Sequence, residues 1–302
     1  MARSFPPDVV VLDTDSLVHA RLGRGKTNPT IAQAKSYRLA ADTFTPSVVT
    51  PELANAAALA DTLRRLKMET GKWERVSLLL PDSWFRINIL DLPSLPERAS
   101  EAVDVVRWSL KRTLPIAPET LRVAYSVLQK NAAGVKLLVL SAVEKTLANI
   151  EKVFASSGLE VILIEPIGLN IWNAIAIREA VTQNDRLLLY VRDREFTTAV
   201  FRGEQPLFIR SRNLGGERTL EQEIRLSATY LRDNLGSDVI EHCYIAGSSI
   251  AGDGISSVGD VLREEFSAPV RTLQLRDFAE LTPSDVYGID AELTACTGVF
   301  TG

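Results

Sequence analysis

The sequence predicts an α/β protein made of two similar halves. A pattern of strand, turn, strand, turn and strand opens the chain and returns near Arg186. Between these openings, short apolar runs that are typical of buried strands alternate with longer segments that carry apolar residues at helical spacing. The chain has 302 residues, of which 46% are hydrophobic and 24% charged, so each half is long enough to bury a core of its own.

The opening meander of the first half begins with DVVVLD, residues 8–13, whose continuous apolar character predicts a central strand. Segment 16–22 follows a short polar turn, and segment 30–39 follows a second turn, residues 23–29, that is rich in glycine, asparagine and proline. The run RVSLLLP, residues 75–81, predicts a further buried strand.

Capping residues mark the predicted helices of this half. Thr50 and Pro51 predict a helix start, as N-cap and first helical residue, and Gly71 predicts its end. Ser94 and Glu97 have the spacing of a capping box ahead of a second helix, whose apolar stripe runs to about residue 110.

Residues 84–158 interrupt the first half and read as an inserted α/β unit. Alternation in WFRINILDLP, residues 84–93, predicts a strand, and RVAYSVLQ and KLLVLSAV predict a strand pair joined by a turn. A helix is predicted from 144 to 156, with Gly158 as its stop. A buried strand over 159–166 and a helix over 168–181 then return to the first half.

The second half repeats the opening meander with RLLLYVRD, FTTAVFRG and QPLFIRSRNL. Thr219 and Gln222 predict a capped helix with an apolar stripe that runs to Leu235. A strand over 241–247, a helix over 256–266 and a strand over 270–275 complete the prediction, and the chain ends in a segment of small residues.

Composition argues against several classes of function. The net charge of −4 and the pI near 5.5 argue against general nucleic-acid binding, which needs a basic excess. Two cysteines and two histidines, without metal-type spacing, predict no metal site. No apolar run reaches the roughly 18 residues of a membrane span, so we expect a cytoplasmic protein that meets the membrane only through partners.

Three stretches carry a resemblance to a known family. Residues 95–128 contain Arg107 and Trp108 on a helix, a proline seven residues later, and then a strand. Residues 137–175 give a strand, a helix, the motif SGL, a strand ending in Glu-Pro, and a helix, and residues 207–216 give a strand that ends in Gly-Gly. In this order the stretches resemble the PilM-like proteins of type IV pilus assembly, which belong with FtsA to the actin-like superfamily.

The resemblance implies an actin-like (ribonuclease H-like) two-domain α/β fold with an inserted subdomain of the FtsA and PilM type. The first domain is then expected at 1–83 and 159–183, the inserted subdomain at 84–158, and a shortened second domain at 184–302.

Nucleotide-binding members of this superfamily carry Asp-x-Gly in each of two turns that face the cleft. Here the turns read Asp13-Thr14-Asp15 and Val191-Arg192-Asp193, and the third nucleotide loop reads Gly247-Ser248-Ser249. An aspartate in place of glycine adds bulk and a like charge where phosphate would lie. We therefore expect no catalysis and no cofactor, with Asp13 and Gly247 as remnants of the site. ATP with Mg²⁺ is the alternative, because a metal ion can bridge carboxylate and phosphate.

The resemblance also implies a partner. PilM-like proteins hold a short cytoplasmic tail of the inner-membrane protein PilN in a groove between the first domain and its insert. The candidate contact residues here lie on the strand from Trp84 and on the helix that carries Trp108: Trp84, Phe85, Ile87, Ile89, Arg107 and Trp108. Motor ATPases, a PilC-like platform and a homo-oligomeric ring are further implied contacts of such a scaffold.

Three alternatives stay open at this point. An active actin-like ATPase would use Asp13 for the metal ion and Gly247 beside the adenine. The cytoplasmic domain of a GspL-type or MSHA-type secretion component would share the degenerate fold. An enzyme of another class would need a constellation such as Cys243 with His242, and neither a triad nor paired acids support one.

Overall fold

The computed structural model describes residues 5–24, 29–45, 50–111, 116–179, 182–192, 195–214, 218–235, 239–247, 253–281 and 288–299. Several residues singled out from the sequence lie outside these segments, namely Pro115, Asp193, Gly215, Gly216, Ser248 and Ser249.

The described strands, in chain order, are β1 Asp8–Leu12, β2 Ser16–Arg24, β3 Pro29–Arg38, β4 Phe44–Thr45, β5 Glu52–Leu53, β6 Arg75–Leu80, β7 Phe85–Leu92, β8 Leu121–Asn131, β9 Gly134–Val143, β10 Glu160–Pro166, β11 Asp185–Arg192, β12 Glu195–Arg202, β13 Gln205–Asn213, β14 Ile240–Ala246, β15 Val270–Thr272 and β16 Glu280–Leu281. The described α-helices are α1 Ala56–Thr70, α2 Ala99–Leu110, α3 Glu144–Ser156, α4 Ile167–Arg178, α5 Leu220–Leu235, α6 Asp253–Phe266 and α7 Asp290–Gly298. None of them is both long and apolar enough to cross a bilayer.

The two main sheets share one strand order. The first sheet runs β10-β6-β1-β2-β3-β16 and the second runs β13-β12-β11-β14-β15. Each sheet contains an antiparallel meander of three strands. A parallel strand pairs with the first strand of the meander, and a second parallel strand pairs with that one. All residues of β1 and β11 are buried, as expected for central strands of sheets covered on both faces. The internal repeat predicted from the sequence is therefore confirmed.

Helix ends follow the predicted caps only in part. Gly71 ends α1 at a positive φ of 84°, and the Thr219 and Gln222 side chains each accept from the other's backbone N–H at the start of α5. The predicted starts of α1 and α2 were wrong. Asn55 caps α1 by accepting from Ala58 N at 3.0 Å, and α2 begins after Arg98 without a side-chain cap.

The insert forms a separate sheet of order β7-β9-β8, with α2 packed on one face. Its last helix, α3, does not stay with that sheet. Leu147, Ile150 and Phe154 of α3 pack with Val10 and Leu12 of β1 in one core. The insert is thus tied to the first sheet by an apolar interface.

Two helices lie between the main sheets. α4 and α7 pack so closely that a methyl group on Gly298 would come within 1.9 Å of the Asn170 carbonyl oxygen. The core that surrounds α4 and α7 includes side chains from β1, β2, β11, β12 and β14. The short strand β16 pairs with β3 of the first sheet. The end of the chain, expected within the second domain at 184–302, therefore returns to the first sheet.

Candidate functional site

The ends of two corresponding hairpins meet in the cleft between the sheets. In the first, Asp13 follows β1, and its backbone N–H donates to the Ser16 carbonyl oxygen at 2.9 Å. Its carboxylate also accepts from the Thr14 N–H at 2.5 Å, so the turn fixes the side chain. In the second, β11 ends at Arg192. The Arg192 side chain reaches across the cleft to the first turn.

Arg192 contacts three elements through one guanidinium group. Nε lies 2.8 Å from Oδ2 of Asp13, and Nη2 donates to the Ser16 hydroxyl at 2.9 Å. Nη1 lies 3.5 Å from Oε1 of Glu292 on α7. The side chains of Arg192, Asp13 and Glu292 are 7%, 10% and 3% exposed, so water screens these charges little. We call this group, Arg192 with Asp13, Ser16 and Glu292, the arginine bridge.

The electrostatics of the bridge keep Arg192 charged. Burial by itself lowers the pKa of Arg192, but Tyr190, Asp13 and Glu292 outweigh it, so the pKa is raised. Removal of one partner from such a buried pair costs about 3–5 kcal/mol, because the other charge is left without compensation. The bridge is therefore an energetically important contact between the two halves.

Two further carboxyl groups lie in the cleft. Oδ1 of Asp82, just after β6, accepts from Gly168 N at 2.8 Å, at the start of α4. Complete burial raises the pKa of Asp82 to about 6. Burial also raises the pKa of Glu195 to about 7, with the charges of Asp13 and Asp82 acting in the same direction. Burial thus favours the protonated form of both carboxyl groups.

Gly247 follows β14 and lies against the end of β11. It has φ +155°, and a Cβ there would come within 2.1 Å of the Val191 carbonyl oxygen. The glycine therefore allows the end of β14 to pack directly on the end of β11. Gly247 thus contacts the backbone of the second hairpin, whereas Asp13 contacts that hairpin through the Arg192 side chain.

Among the described residues, two positions of the superfamily's nucleotide-binding pattern are engaged by contacts within the chain. Asp13, the one carboxylate kept from the superfamily pattern, is engaged by a guanidinium group, and the face of Gly247 is covered by Val191. Within the described segments, no group of three or more His, Cys, Asp and Glu side chains is placed to hold a metal ion. Burial raises the pKa of Cys243 to about 12, which keeps it a thiol and disfavours a nucleophilic role.

The predicted partner-binding residues divide into three groups. Trp84 and Phe85 are buried, 2% and 6% exposed, in the core shared with the first sheet. Neither side chain is exposed for contact with a partner, and Trp84 packs edge-on against Phe44 at 5.4 Å between ring centroids.

The remaining four lie on opposite sides of the insert sheet. Leu90 and Leu137 face α2, so the alternation of β7 turns Ile87 and Ile89 to the other face. Trp108 is 70% exposed on the outer side of α2. Next to it, Arg107 pairs with Asp104 at 2.7 Å. These residues therefore do not form a single surface.

Sequence reasoning missed two strand partners of Ile87 and Ile89. Leu140 and Leu138 of β9 lie directly opposite them and are also half-buried. Together the four side chains form a band that we call the apolar strip: Ile87, Ile89, Leu138 and Leu140. Ile87 also borders the core that Val161 and Ile164 of β10 touch, so the strip adjoins the edge of the first sheet. The sequence signal that could have indicated this strip was the presence of apolar residues on both faces of the strand KLLVLSAV.

Two of the solved structures with a similar fold come from a pilus complex and a secretion system. A PilM–PilN type IV pilus biogenesis complex matches with a TM-score of 0.76 and 18% identity, covering 96% of both chains. A Bacteroides thetaiotaomicron protein of unknown function with an actin-like ATPase fold matches at 0.56 and 13%, covering 95% of both. The cytoplasmic domain of EpsL, an inner-membrane component of the Vibrio cholerae type II secretion system, matches at 0.50 and 13%, covering 98% of this chain and 94% of that one.

No family model matches the sequence, and neither does any curated protein. The structural similarities establish an actin-like fold, as predicted, and the resemblance to PilM-like proteins is confirmed at the level of the fold.

Proposed function

We propose that this chain is a non-catalytic cytoplasmic scaffold of a type IV pilus or related secretion machine. The observation that carries the proposal is the arginine bridge, in which a buried guanidinium binds the carboxylate that would otherwise hold a metal ion. The similar fold of a PilM–PilN complex and of the EpsL cytoplasmic domain supports the biological setting.

The proposed partner is the short cytoplasmic tail of a PilN-like membrane protein. The apolar strip supports this assignment, because a half-buried band of two opposed residue pairs fits alternate side chains of an extended peptide. β7 and β10 are the edge strands of their sheets, and an extended peptide can pair with a strand in such a position. The proposed groove therefore lies between the insert and the first sheet, on the side away from Trp108.

Peptide binding tests the partner. A labelled N-terminal peptide of the PilN-like protein from the same genome would be titrated by fluorescence anisotropy against the wild type, Ile89→Asp and Trp108→Ala. We expect a charge in the strip to weaken binding at least tenfold and Trp108→Ala to leave it within twofold. The reverse result would move the site to the outer face of α2.

Calorimetry tests the absence of nucleotide chemistry. Titration with Mg²⁺ and ATP at millimolar concentration is expected to give no binding heat for the wild type or for Asp13→Ala. Wild-type binding that disappears in Asp13→Ala would restore the active-ATPase alternative.

The secretion-component alternative rests on the EpsL similarity, which has a lower TM-score than the PilM–PilN similarity. It predicts that the tail peptide of a PilN-like protein does not bind, while the cytoplasmic segment of a secretion-system partner does.

A further inference from the structure

We propose that the cleft contains an internal cation site whose ligand is the chain's own Arg192, and that this tethered guanidinium holds the two halves together without a nucleotide. In this view the bridge takes the place of a bound ligand between the sheets. The bridge joins the two halves whichever partner the protein has.

The connectivity of the bridge supports this role. Arg192 is the last residue of β11 in the second sheet, while Ser16, 176 residues away in sequence, opens β2 in the first. Glu292 adds a contact from α7, which packs against α4 between the sheets. One side chain thus joins both sheets and the helical layer, and a contact of this kind resists their separation.

The composition of the site is that of a cation-binding pocket. Two carboxylates and a hydroxyl surround the guanidinium, and each partner takes a different nitrogen of the group. Nε and Nη2 lie at hydrogen-bond distance from Asp13 and Ser16, and Nη1 lies at ion-pair distance from Glu292. A planar guanidinium presents donors in these separate directions, whereas an ammonium is a compact point charge. The site therefore selects guanidinium over lysine-like or simple monovalent cations.

Loss of the cation would leave the cleft strongly acidic. Asp13, Asp82, Glu195 and Glu292 would then remain without Arg192. Glu195 already interacts electrostatically with Asp13 and Asp82, and Tyr190 interacts with Asp13, Asp82 and Glu292. Repulsion between these groups favours a wider separation of the halves. The native arrangement therefore depends on a cation at this position.

Chemical rescue tests the site. In Arg192→Gly we expect the melting temperature to fall by about 6–10 °C and the distance between the halves to lengthen. That distance can be followed by double electron–electron resonance between spin labels at Met68→Cys and Tyr230→Cys, both of which are exposed positions. Guanidinium chloride at tens of millimolar, well below denaturing strength, should restore both properties, and sodium chloride at equal ionic strength should not.

Arg202→Gly is the matched control, since Arg202 pairs with Asp185 inside the second hairpin and is 47% exposed. It should leave the distance unchanged and show no rescue by guanidinium. Arg192→Lys keeps the positive charge and the fold but lacks the several N–H donors of the guanidinium group. Its melting temperature should therefore lie between those of the wild type and Arg192→Gly. An unchanged distance in Arg192→Gly, or equal rescue by sodium chloride, would overturn the proposal. If Arg192→Gly does not fold, an Arg192→Lys variant as stable as the wild type would overturn it too.

Discussion

The two hairpins β1–β2 and β11–β12 are alike at their outer ends and different at the cleft. At the outer end each begins with an aspartate that pairs with an arginine on the neighbouring strand, Asp8 with Arg21 at 2.9 Å and Asp185 with Arg202 at 2.6 Å. Both pairs occupy the first registered position of their hairpin. At the cleft end the first hairpin ends in Asp13 and the second in Arg192.

This difference indicates how the repeat has specialised. The outer pairs close each hairpin on itself, so either half can use the same device. The cleft residues have opposite charges and pair with each other across the two halves. Two turns that would each face a nucleotide in an ATP-binding relative instead complement one another.

The largest effect is expected from loss of the outer pair in the first hairpin. Asp8→Ala leaves His19, which is fully buried and stacked on Trp73, without the carboxylate that lies 2.8 Å from its Nε2. We expect the free energy of unfolding to fall by about 3–5 kcal/mol in urea denaturation. Asp185→Ala should cost only about 1–2 kcal/mol, because the freed Arg202 is 47% exposed and returns to water. Equal losses would show that the burial of His19 does not matter.

The acids of the cleft predict a dependence of stability on pH. Asp82 has its pKa raised from 3.8 to about 6, so the native state binds more protons than the unfolded state between these values. The free energy of unfolding should therefore fall by roughly 3 kcal/mol through Asp82 alone as the pH rises from about 4 to 6. Glu195 should extend the decrease towards pH 7. Asp82→Asn should flatten the lower part of this curve in chemical denaturation, whereas a curve of unchanged slope would contradict the assignment.

The close approach of β14 to β11 predicts an intermediate effect. Gly247→Ala forces a methyl group against the Val191 carbonyl, and we expect a loss of about 1–3 kcal/mol in thermal or chemical unfolding. Gly71→Ala is the control, because Gly71 also has a positive φ but no atom within 4 Å of its Cβ position. It should cost about 1 kcal/mol or less. If both variants lose the same amount, backbone strain alone explains Gly247.

The smallest effect is expected at the turn position that departs from the superfamily pattern. Asp15→Gly restores Asp-x-Gly in the first hairpin, but Asp15 is exposed and the arginine bridge does not involve its side chain. We expect a stability change below about 1 kcal/mol and still no Mg²⁺-ATP binding in calorimetry. Nucleotide binding gained by this single change would show that the aspartate, and not Arg192, had blocked the cleft.

Much of the fold could be predicted from the sequence because its signals are local. Continuous apolar runs predicted the central strands β1 and β11, and the Thr219–Gln222 spacing predicted the start of α5. Two predicted starts failed for a local reason as well. Thr50-Pro51 suits a helix start but precedes the short strand β5, and Asn55 provides the cap instead.

The candidate surfaces were less predictable, since burial depends on what covers a residue. Trp84 and Ile87 belong to the same predicted strand segment, yet Trp84 is in the core and Ile87 is at its margin. The small-residue ending gave no helical stripe, although it forms α7, whose small side chains allow contact with α4. Neither outcome could be inferred without the neighbouring elements.

The sequence by itself determined the two α/β halves, the insert within the first half and the departure of the cleft turns from Asp-x-Gly. These features depend on periodicity, turn chemistry and residue type, all of which are read within a few positions along the chain. Only the tertiary structure decided that Arg192 meets Asp13, because that pair joins turns on different sheets. An ion pair has no signature in sequence spacing when its partners are brought together by packing of the whole chain, and here that packing places the cation in the cleft.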